Sequence, residues 1–385
     1  MNRTMAADRA VAILRGYARR TGLAPASATP ARYLWTDAFA VCTFLGLAET
    51  TGEQACRARA LALVEQVHGI LGRHRGDDGR KGWISGLSDD EGARHPTAGG
   101  LRIGKPLPER RPGEPLDDRL EWDRDGQYYH YLTRWAHALC RASRATGDPV
   151  YAGWAAELLK AVHPAFVPRR RMYWKMSVDL SRPLVASMGQ HDPLDGFVTC
   201  AEVQAASGAD LSREMSDLAA LLRGTALATD DPLGTGGLLF DAVRIAELAA
   251  RGAIPAPWLL GPVLAAAQAG IAAFARSGAL RCPAERRLAF RELGLALGLR
   301  GAGRVREAIA ATPGAFDAPG ALLERARALE GLRPLAGAIE AFWLDERHRA
   351  VPAWTDHREI NEVTLAAVLA PEGFLAIQAG PVAHT

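Results

Sequence analysis

The sequence predicts an all-α protein built from helical hairpins. Apolar residues recur at three- and four-residue spacing through most of the chain, which is the period of an amphipathic helix. Alanine-rich helical segments stop repeatedly at a glycine and resume within a few residues. Alternation typical of strands is confined to two short pieces, at 81–87 and 171–180.

Five segments share the order helix, glycine, helix. Glycine readily adopts the left-handed conformation that ends a helix, so each segment is predicted to be a tight helical hairpin. The turns are predicted at Gly52, Gly147, Gly208, Gly252 and Gly301. Their irregular spacing argues against a short-period solenoid. The remaining connections, 74–126, 164–192 and 229–235, are longer and more polar, so we expect them to meet at one face.

This asymmetry between short turns and long loops resembles a known fold. The stretches "YLWTDAFAVCTFLGLAETTG", "DGQYYHYLTRWAHALCRASRATGD" and "HDPLDGFVTCAEVQAASG" are similar to those of the six-hairpin glycosidase superfamily, which also holds sugar epimerases and unsaturated-uronyl hydrolases. The resemblance implies an (α/α)6 toroid with an active site where the long loops gather. We therefore expect one toroid domain over residues 1–385, with a loop insertion at 74–126 and small β pieces in the loops.

Composition limits the classes of function. Of 385 residues, 48% are hydrophobic and 23% are charged, which is typical of a soluble globular protein. The net charge of +3 with scattered arginines predicts no nucleic-acid partner. The N-terminal segment mixes charges into its apolar pattern and is expected to be a helix, not a signal peptide. We expect no membrane-spanning segment and a cytoplasmic location; the oligomeric state stays open.

The cysteines lie far apart and form no C-x-x-C pair. They are Cys42, Cys56, Cys140, Cys200 and Cys282. Most occupy apolar helical contexts, so we predict reduced, buried side chains. No metal and no cofactor are expected.

The stretch "EWDRDGQYYHYLTRWAHALCRAS" (121–143) combines acids, aromatics and a histidine where an inner helix begins. Aromatic rings stack on the apolar faces of sugars, while carboxylates bind their hydroxyls, so this mixture favours a carbohydrate cleft. The residues concerned are Trp122, Asp125, Gln127, Tyr128, His130 and Arg134. The alternative for Asp125 is a simple helix cap.

Three further segments provide similar helix entrances. They supply Trp35 and Asp37; Gln190, His191, Asp192 and Asp195; and His357. Trp83 and Trp174, on the strand-like pieces, are expected to add a wall. Asp37 and Asp192 also suit an ordinary first helical turn, and that alternative stays open.

Glycoside hydrolysis requires a carboxylic acid and a second carboxylate acting as base or nucleophile. We predict Asp125 and Asp195 for these roles, with Asp37 as a substitute. The predicted substrate-binding residues are Trp35, Trp83, Trp122, Gln127, Tyr128, His130, Arg134, Trp174, Gln190, His191, Asp192 and His357. The expected substrate is a small sugar or an oligosaccharide.

Other functions remain open at this point. His130, His191 and His357 would suit a sugar epimerase or isomerase, because imidazole exchanges protons near neutral pH. Acids neutralised by arginines would instead indicate a non-catalytic helical scaffold. The acidic run at 115–125 is similar to a prenyl-transfer motif, but its prolines favour a loop; a lanthionine-cyclase-like zinc site lacks its ligand pairs. The proline- and glycine-rich segment 88–120 is expected to form a lid or binding wall.

Overall fold

A computed structural model describes residues 3–377 of the protein. Over this range the chain is mainly helical, with three short strands. The helices are α1 (Arg3–Arg20), α2 (Leu34–Thr51), α3 (Gln54–Leu71), α4 (Asp89–Arg94), α5 (Asp118–Glu121), α6 (Tyr129–Thr146), α7 (Val150–Phe166), α8 (Asp192–Ser207), α9 (Ser212–Leu222), α10 (Pro232–Ala249), α11 (Leu260–Ser277), α12 (Ala289–Arg300), α13 (Ala302–Ala311), α14 (Pro319–Glu330), α15 (Arg333–Leu344), α16 (Glu346–Arg349), α17 (Pro352–Thr355), α18 (Arg358–Leu369) and α19 (Glu372–Leu375). The strands are β1 (Gln127–Tyr128), β2 (Lys175–Met176) and β3 (Pro183–Val185), and short 3-10 helices occur at Pro257–Leu259, Ala279–Arg281, Ala284–Arg286 and Pro313–Ala315.

The described chain divides into two compact units. The N-terminal unit comprises residues 18–49 and 53–225, and the C-terminal unit comprises 3–17, 50–52 and 226–377. The extent of a single domain over the whole chain therefore stays a prediction, and each unit is described by itself.

Three helices of the N-terminal unit are buried on almost all sides. In α2 every residue from Leu34 to Leu47 is buried, and in α8 every residue from Asp192 to Val203. The third, α6, is buried from Tyr129 to Ser143 except at His130. A helix surrounded by protein usually has small and apolar residues all round. Helix α6 also buries Arg134, His137 and Arg141, which contact the carboxylates of Asp195, Glu202 and Glu49. Helix α6 packs against α7 and α8, and α8 packs against α9.

The C-terminal unit repeats this organisation. Helices α10, α12 and α18 are mostly buried, and α12 packs against both others. Helix α11 pairs with α10, and α14 pairs with α13. Each unit thus contributes three buried helices, the number of inner helices in half of an (α/α)6 fold. The predicted fold class, all-α of the (α/α)6 type with helical hairpins and small β pieces in its loops, is confirmed.

The glycine turns occur where the sequence predicts them. Gly52, Gly147, Gly208 and Gly252 have φ between 66° and 75°, the left-handed region that glycine adopts without strain. Gly301 is different, because its φ of −78° is accessible to any residue. A Cβ at Gly301 would lie 2.6 Å from Cγ2 of Val243, so this glycine is required for close helix packing instead.

A small antiparallel sheet positions the loops of the N-terminal unit. Strand β2 lies between β1 and β3, with Tyr128 opposite Lys175. Since β1 leads directly into α6 and Trp174 immediately precedes β2, the sheet brings Tyr128 and Trp174 together. The strand expected at 171–180 is therefore confirmed in its centre. The one expected at 81–87 is wrong, because only Trp83 pairs there, in a single bridge with Arg73.

One helical segment is long and apolar enough to cross a membrane, although no such segment was expected from the sequence. Pro257–Ser277 has 21 residues and a mean hydropathy of 1.6, so its length and composition alone would allow a span. Half of the stretch is buried inside the protein, where α11 packs against α10 and α14. The core helix of a soluble protein has the same composition because it is also surrounded by apolar groups.

All five cysteines have free thiols. Cys42, Cys56, Cys140 and Cys200 are buried, as predicted for most of the cysteines, and Cys282 is half-buried. Within residues 3–377 no group of three or more His, Cys, Asp or Glu side chains is arranged to hold a metal ion.

Candidate functional site

An aromatic cleft lies at the start of α6 in the N-terminal unit. His130, in the first turn, stacks on Trp174 with ring centroids 6.2 Å apart and an interplanar angle of 24°. Its ring is also 5.4 Å from Tyr128 and 5.8 Å from Trp35. Trp174 of the predicted wall, together with Trp35 and Tyr128 from two helix entrances, therefore surrounds His130, and we call these four residues the aromatic cleft.

His130 is held in a neutral form with a defined proton position. Nε1 of Trp174 donates a hydrogen bond to Nδ1 of His130 at 3.3 Å, so Nδ1 is the unprotonated nitrogen and Nε2 carries the hydrogen. Burial lowers the pKa of His130 to about 4. The side chain remains a quarter exposed. Consequently the ring can offer its Nε2 hydrogen to a ligand at neutral pH.

Asp192, at the start of α8, is the carboxylate closest to this histidine. Its Oδ1 lies 3.9 Å from Nδ1 of His130, and its Oδ2 is buried without a hydrogen-bond partner among the described residues. Burial, and then the nearby charge of Asp195, raise the pKa of Asp192 to about 7. Gly189 makes room for this side chain, because a Cβ there would collide with Oδ2. Asp192 is therefore a buried carboxyl group able to exchange a proton near neutral pH.

Asp195 lies one turn further along α8 but is fully engaged. Nη1 of Arg134 donates to its Oδ1 at 2.5 Å, and the hydroxyl of Thr133 donates to its Oδ2. Two of the residues predicted for the site, Asp195 and Arg134, thus bind each other and join α6 to α8. The catalytic role predicted for Asp195 is not supported by this arrangement.

Asp125 is also taken up by structural contacts. This completely buried carboxylate accepts from Nη1 of Arg102 at 2.7 Å and from the backbone amides of Gly104 and Gly126 at 3.0 and 3.1 Å. Its contacts hold the long loop before α6, which disfavours the predicted catalytic role. Asp37 similarly accepts a hydrogen bond from the backbone amide of Tyr33, four residues earlier, at 2.9 Å, as expected of an acid in a first helical turn.

The other predicted residues are distributed around and away from the cleft. Trp122 is 51% exposed and meets Trp174 edge to face at 5.7 Å, which extends the cleft outward. Gln190 is exposed and His191 half-buried, both just before α8. Trp83 lies elsewhere, beneath α4 with the guanidinium of Arg73 over its ring.

Gln127 and His357 also lie outside the cleft. Gln127 is completely buried, and its side-chain amide binds the backbone of Leu101, Gly99 and Val178, so it holds the loops together. His357 is exposed in the C-terminal unit, beside Phe290.

Three polar residues near the cleft are absent from the predicted set. The hydroxyls of Tyr33 and Tyr131 lie 2.5 Å apart, and burial raises the pKa of Tyr33 to about 12. Nζ of Lys105 is 5.2 Å from the Tyr33 ring. The sequence does show aromatic clusters at 33–35 and 128–131, which could have pointed to the two tyrosines. Their contact could not be predicted, because Tyr33 and Tyr131 are 98 positions apart and only the fold brings them together.

Comparisons with known proteins add two solved structures. No protein-family model and no curated protein matches the sequence. The structure is similar to the "Crystal structure of sugar epimerase from ruminal bacterium", with 11% identity, a TM-score of 0.47 and coverage of 88% of this chain and 87% of that one. It is also similar to the "Structure of Cellobiose 2-Epimerase from Bacillus thermoamylovorans B4167", with 10% identity, a TM-score of 0.38 and coverage of 77% and 74%.

Proposed function

We propose that this chain is a carbohydrate-active enzyme that moves a proton at a carbon next to a sugar carbonyl, as an epimerase or isomerase does. The observation that supports this most directly is the free Oδ2 of Asp192, in a carboxyl group with a pKa of about 7, beside neutral His130. A general base works best when its pKa is near the working pH.

The aromatic cleft supports a sugar as the substrate. Trp35, Tyr128 and Trp174 offer ring faces and edges, while half-exposed Trp122 extends them towards solvent. Rings of this kind pack against the apolar faces of pyranoses, and a few polar groups then fix the orientation. The cleft is therefore suited to a small sugar, with room at Trp122 for a longer one.

The two polar residues divide the chemistry between them. Ionised Asp192 takes the proton from the carbon next to the carbonyl, and the C–H electron pair moves into an enediolate. Nε2–H of His130 donates to the carbonyl oxygen, which becomes the enediolate oxygen; a neutral imidazole can act as such an electrophile. Isomerisation follows when Asp192 returns the proton to the former carbonyl carbon, while the proton of the neighbouring hydroxyl passes to the enediolate oxygen. Epimerisation follows when a water molecule donates a proton to the original carbon from the opposite face and the resulting hydroxide takes up the proton held by Asp192.

Glycoside hydrolysis, the activity predicted first from the sequence, has less support. It requires two available carboxyl groups, one as acid and one as base or nucleophile. Arg102 and Arg134 occupy Asp125 and Asp195. Arg32 likewise lies 3.5 Å from Asp37, so of the four predicted acids Asp192 alone has no arginine within 4.0 Å among the described residues. One such carboxyl group suits proton transfer better than hydrolysis.

Incubation with a panel of aldoses, ketoses and disaccharides in D2O tests the proposal. Proton NMR is expected to show loss of the signal at the carbon next to the carbonyl and the appearance of an epimer or isomer. Asp192→Asn is expected to reduce kcat/KM by at least about 100-fold, as removal of a general base does.

Asp90→Asn is the control, since Asp90 is exposed in α4 and remote from the cleft in sequence. Its activity is expected to equal that of the unaltered protein. Release of new reducing ends without deuterium incorporation would indicate hydrolysis, and sugar binding without turnover would indicate a scaffold. Either result would overturn the proposal.

A further inference from the structure

A second pocket lies in the N-terminal unit, between the end of α7 and the start of α9. Its volume is about 320 Å³, and His163, Arg169, Arg170, Arg213 and Asp217 are among its lining residues. This volume lies within the range of small-molecule sites. No residue of the aromatic cleft lines it, so it is a separate site.

Its charge is predominantly positive. Arg169, Arg170 and Arg213 are exposed and form no ion pair with any residue between 3 and 377. Glu214 also lines the pocket, but the other acid, Asp217, already faces His163, with 3.1 Å between Oδ2 and Nε2. Guanidinium groups present a planar fork of donors that matches a phosphate or carboxylate.

His163 forms part of the pocket wall, with a side chain that is only 6% exposed. Its contact with Asp217 joins the end of α7 to α9 and fixes the wall against which a ligand would lie.

The turn that carries two of the arginines is strained. The amide of Arg171 donates to the carbonyl of Pro168 at 3.0 Å, and between them Arg169 and Arg170 have φ of 48° and 63°. Left-handed residues at both central positions are normally Gly, Asn or Asp. Arginines there destabilise the turn. Strain retained at side chains that line a pocket is typical of a binding site.

We propose that this pocket binds a small molecule carrying a phosphate monoester, with Arg169, Arg170 and Arg213 contacting the phosphate. The pocket is larger than a single phosphate ion, so the rest of the ligand occupies space beside His163. Nothing in this assignment depends on the reaction proposed for the aromatic cleft.

Isothermal titration calorimetry on the full chain at low ionic strength tests the site, with glucose 6-phosphate and inorganic phosphate as probes. The ester is expected to bind at one site and more tightly than inorganic phosphate. Arg213→Gln is expected to weaken ester binding at least about tenfold, which corresponds to the loss of one charge-assisted contact. Arg171→Gln is the matched control, because Arg171 belongs to the same turn but does not line the pocket.

The double variant Arg169→Gly with Arg170→Asn separates binding from structure. It is expected to lose ester binding while its Tm rises, because the strained turn receives the residues that favour it. Unchanged binding in this variant, or no binding of either probe at millimolar concentration, would overturn the proposal. Equal affinity for ester and inorganic phosphate would overturn the assignment of an ester ligand.

Discussion

Asp192 and Asp195 lie one helical turn apart at the start of α8, but only Asp195 is bound by an arginine. Arg134 and Thr133 bind both oxygens of Asp195, whereas Oδ2 of Asp192 has no hydrogen-bond partner among the described residues. Burial, and then the negative charge of Asp195, raise the pKa of Asp192, whereas the charge of Arg134 lowers it. The two acids therefore differ in environment, as is common in catalytic carboxyl pairs.

The first prediction concerns stability and pH. Because the pKa of Asp192 is raised to about 7 in the folded state, the folded protein binds the carboxyl proton more tightly than the unfolded chain does. Protonation of Asp192 therefore stabilises the fold at low pH, and this stabilisation is lost as pH rises from about 4 to 7. Asp192→Asn is therefore expected to stabilise the protein at pH 8 by at most about 4 kcal/mol. Urea unfolding at pH 4 and 8 measures this; an equal effect at both pH values would contradict it.

His130 is expected to titrate in the opposite sense. Burial lowers its folded-state pKa to about 4, so its contribution to stability is present above the ordinary histidine range and is lost as pH falls towards 4. NMR of the ring is expected to show the Nε2–H tautomer from pH 8 to pH 5. Trp174→Phe removes the donor to Nδ1 and is expected to allow both tautomers. A midpoint near pH 6.5 in the unaltered protein would contradict the buried environment.

The third prediction compares two arginines on α6. Arg134→Met leaves Asp195 charged and buried, which is expected to destabilise the protein by about 3–5 kcal/mol. Arg144→Met removes a half-exposed partner of Glu49 at 3.6 Å and is expected to cost at most about 1 kcal/mol. Chemical denaturation of both variants measures the difference. Similar small losses would show that the Arg134–Asp195 pair does not join α6 to α8.

A fourth prediction compares two glycines of the long loop. Gly100 and Gly113 both have positive φ, 73° and 78°, so alanine is expected to cost about 1–2 kcal/mol of backbone strain at each. At Gly100 the new Cβ would also collide with the amide of Gln127, whereas at Gly113 it would meet nothing within 4 Å. Gly100→Ala is therefore expected to lower Tm more, and equal Tm values would contradict the tight packing around Gln127.

Local sequence patterns were sufficient to predict the helical hairpins. Alanine-rich periodicity and glycine turns act over a few residues, and so Gly147 and Gly208 end their helices as expected. The cleft could be predicted in part, since His130, Tyr128 and Trp174 lie beside helix or strand ends. At Gly301 the same pattern predicted the turn but not its reason, because the contact with Val243 involves another helix.

The roles of the acids could not be predicted, because they depend on distant partners. Asp195 meets Arg134 across 61 positions, and Asp125 meets Arg102 across 23. No local pattern shows that these arginines take up Asp125 and Asp195 and leave Asp192 without one. For the same reason Gln127 was predicted to bind substrate, although all its hydrogen bonds link segments of the loops.

Those loop contacts have a consequence for how the protein opens. By composition, the segment between α3 and α6 would be expected to exchange its amide hydrogens fastest and to be cut first by proteases. Yet Asp125 and Gln127 bind the backbone of Leu101 and Gly104 from inside the protein. Exposing this backbone requires breaking a buried ion pair and several amide contacts together, so its centre opens only with the surrounding fold. The amides of Leu101 and Gly104 are therefore expected to be among the slowest to exchange in the N-terminal unit.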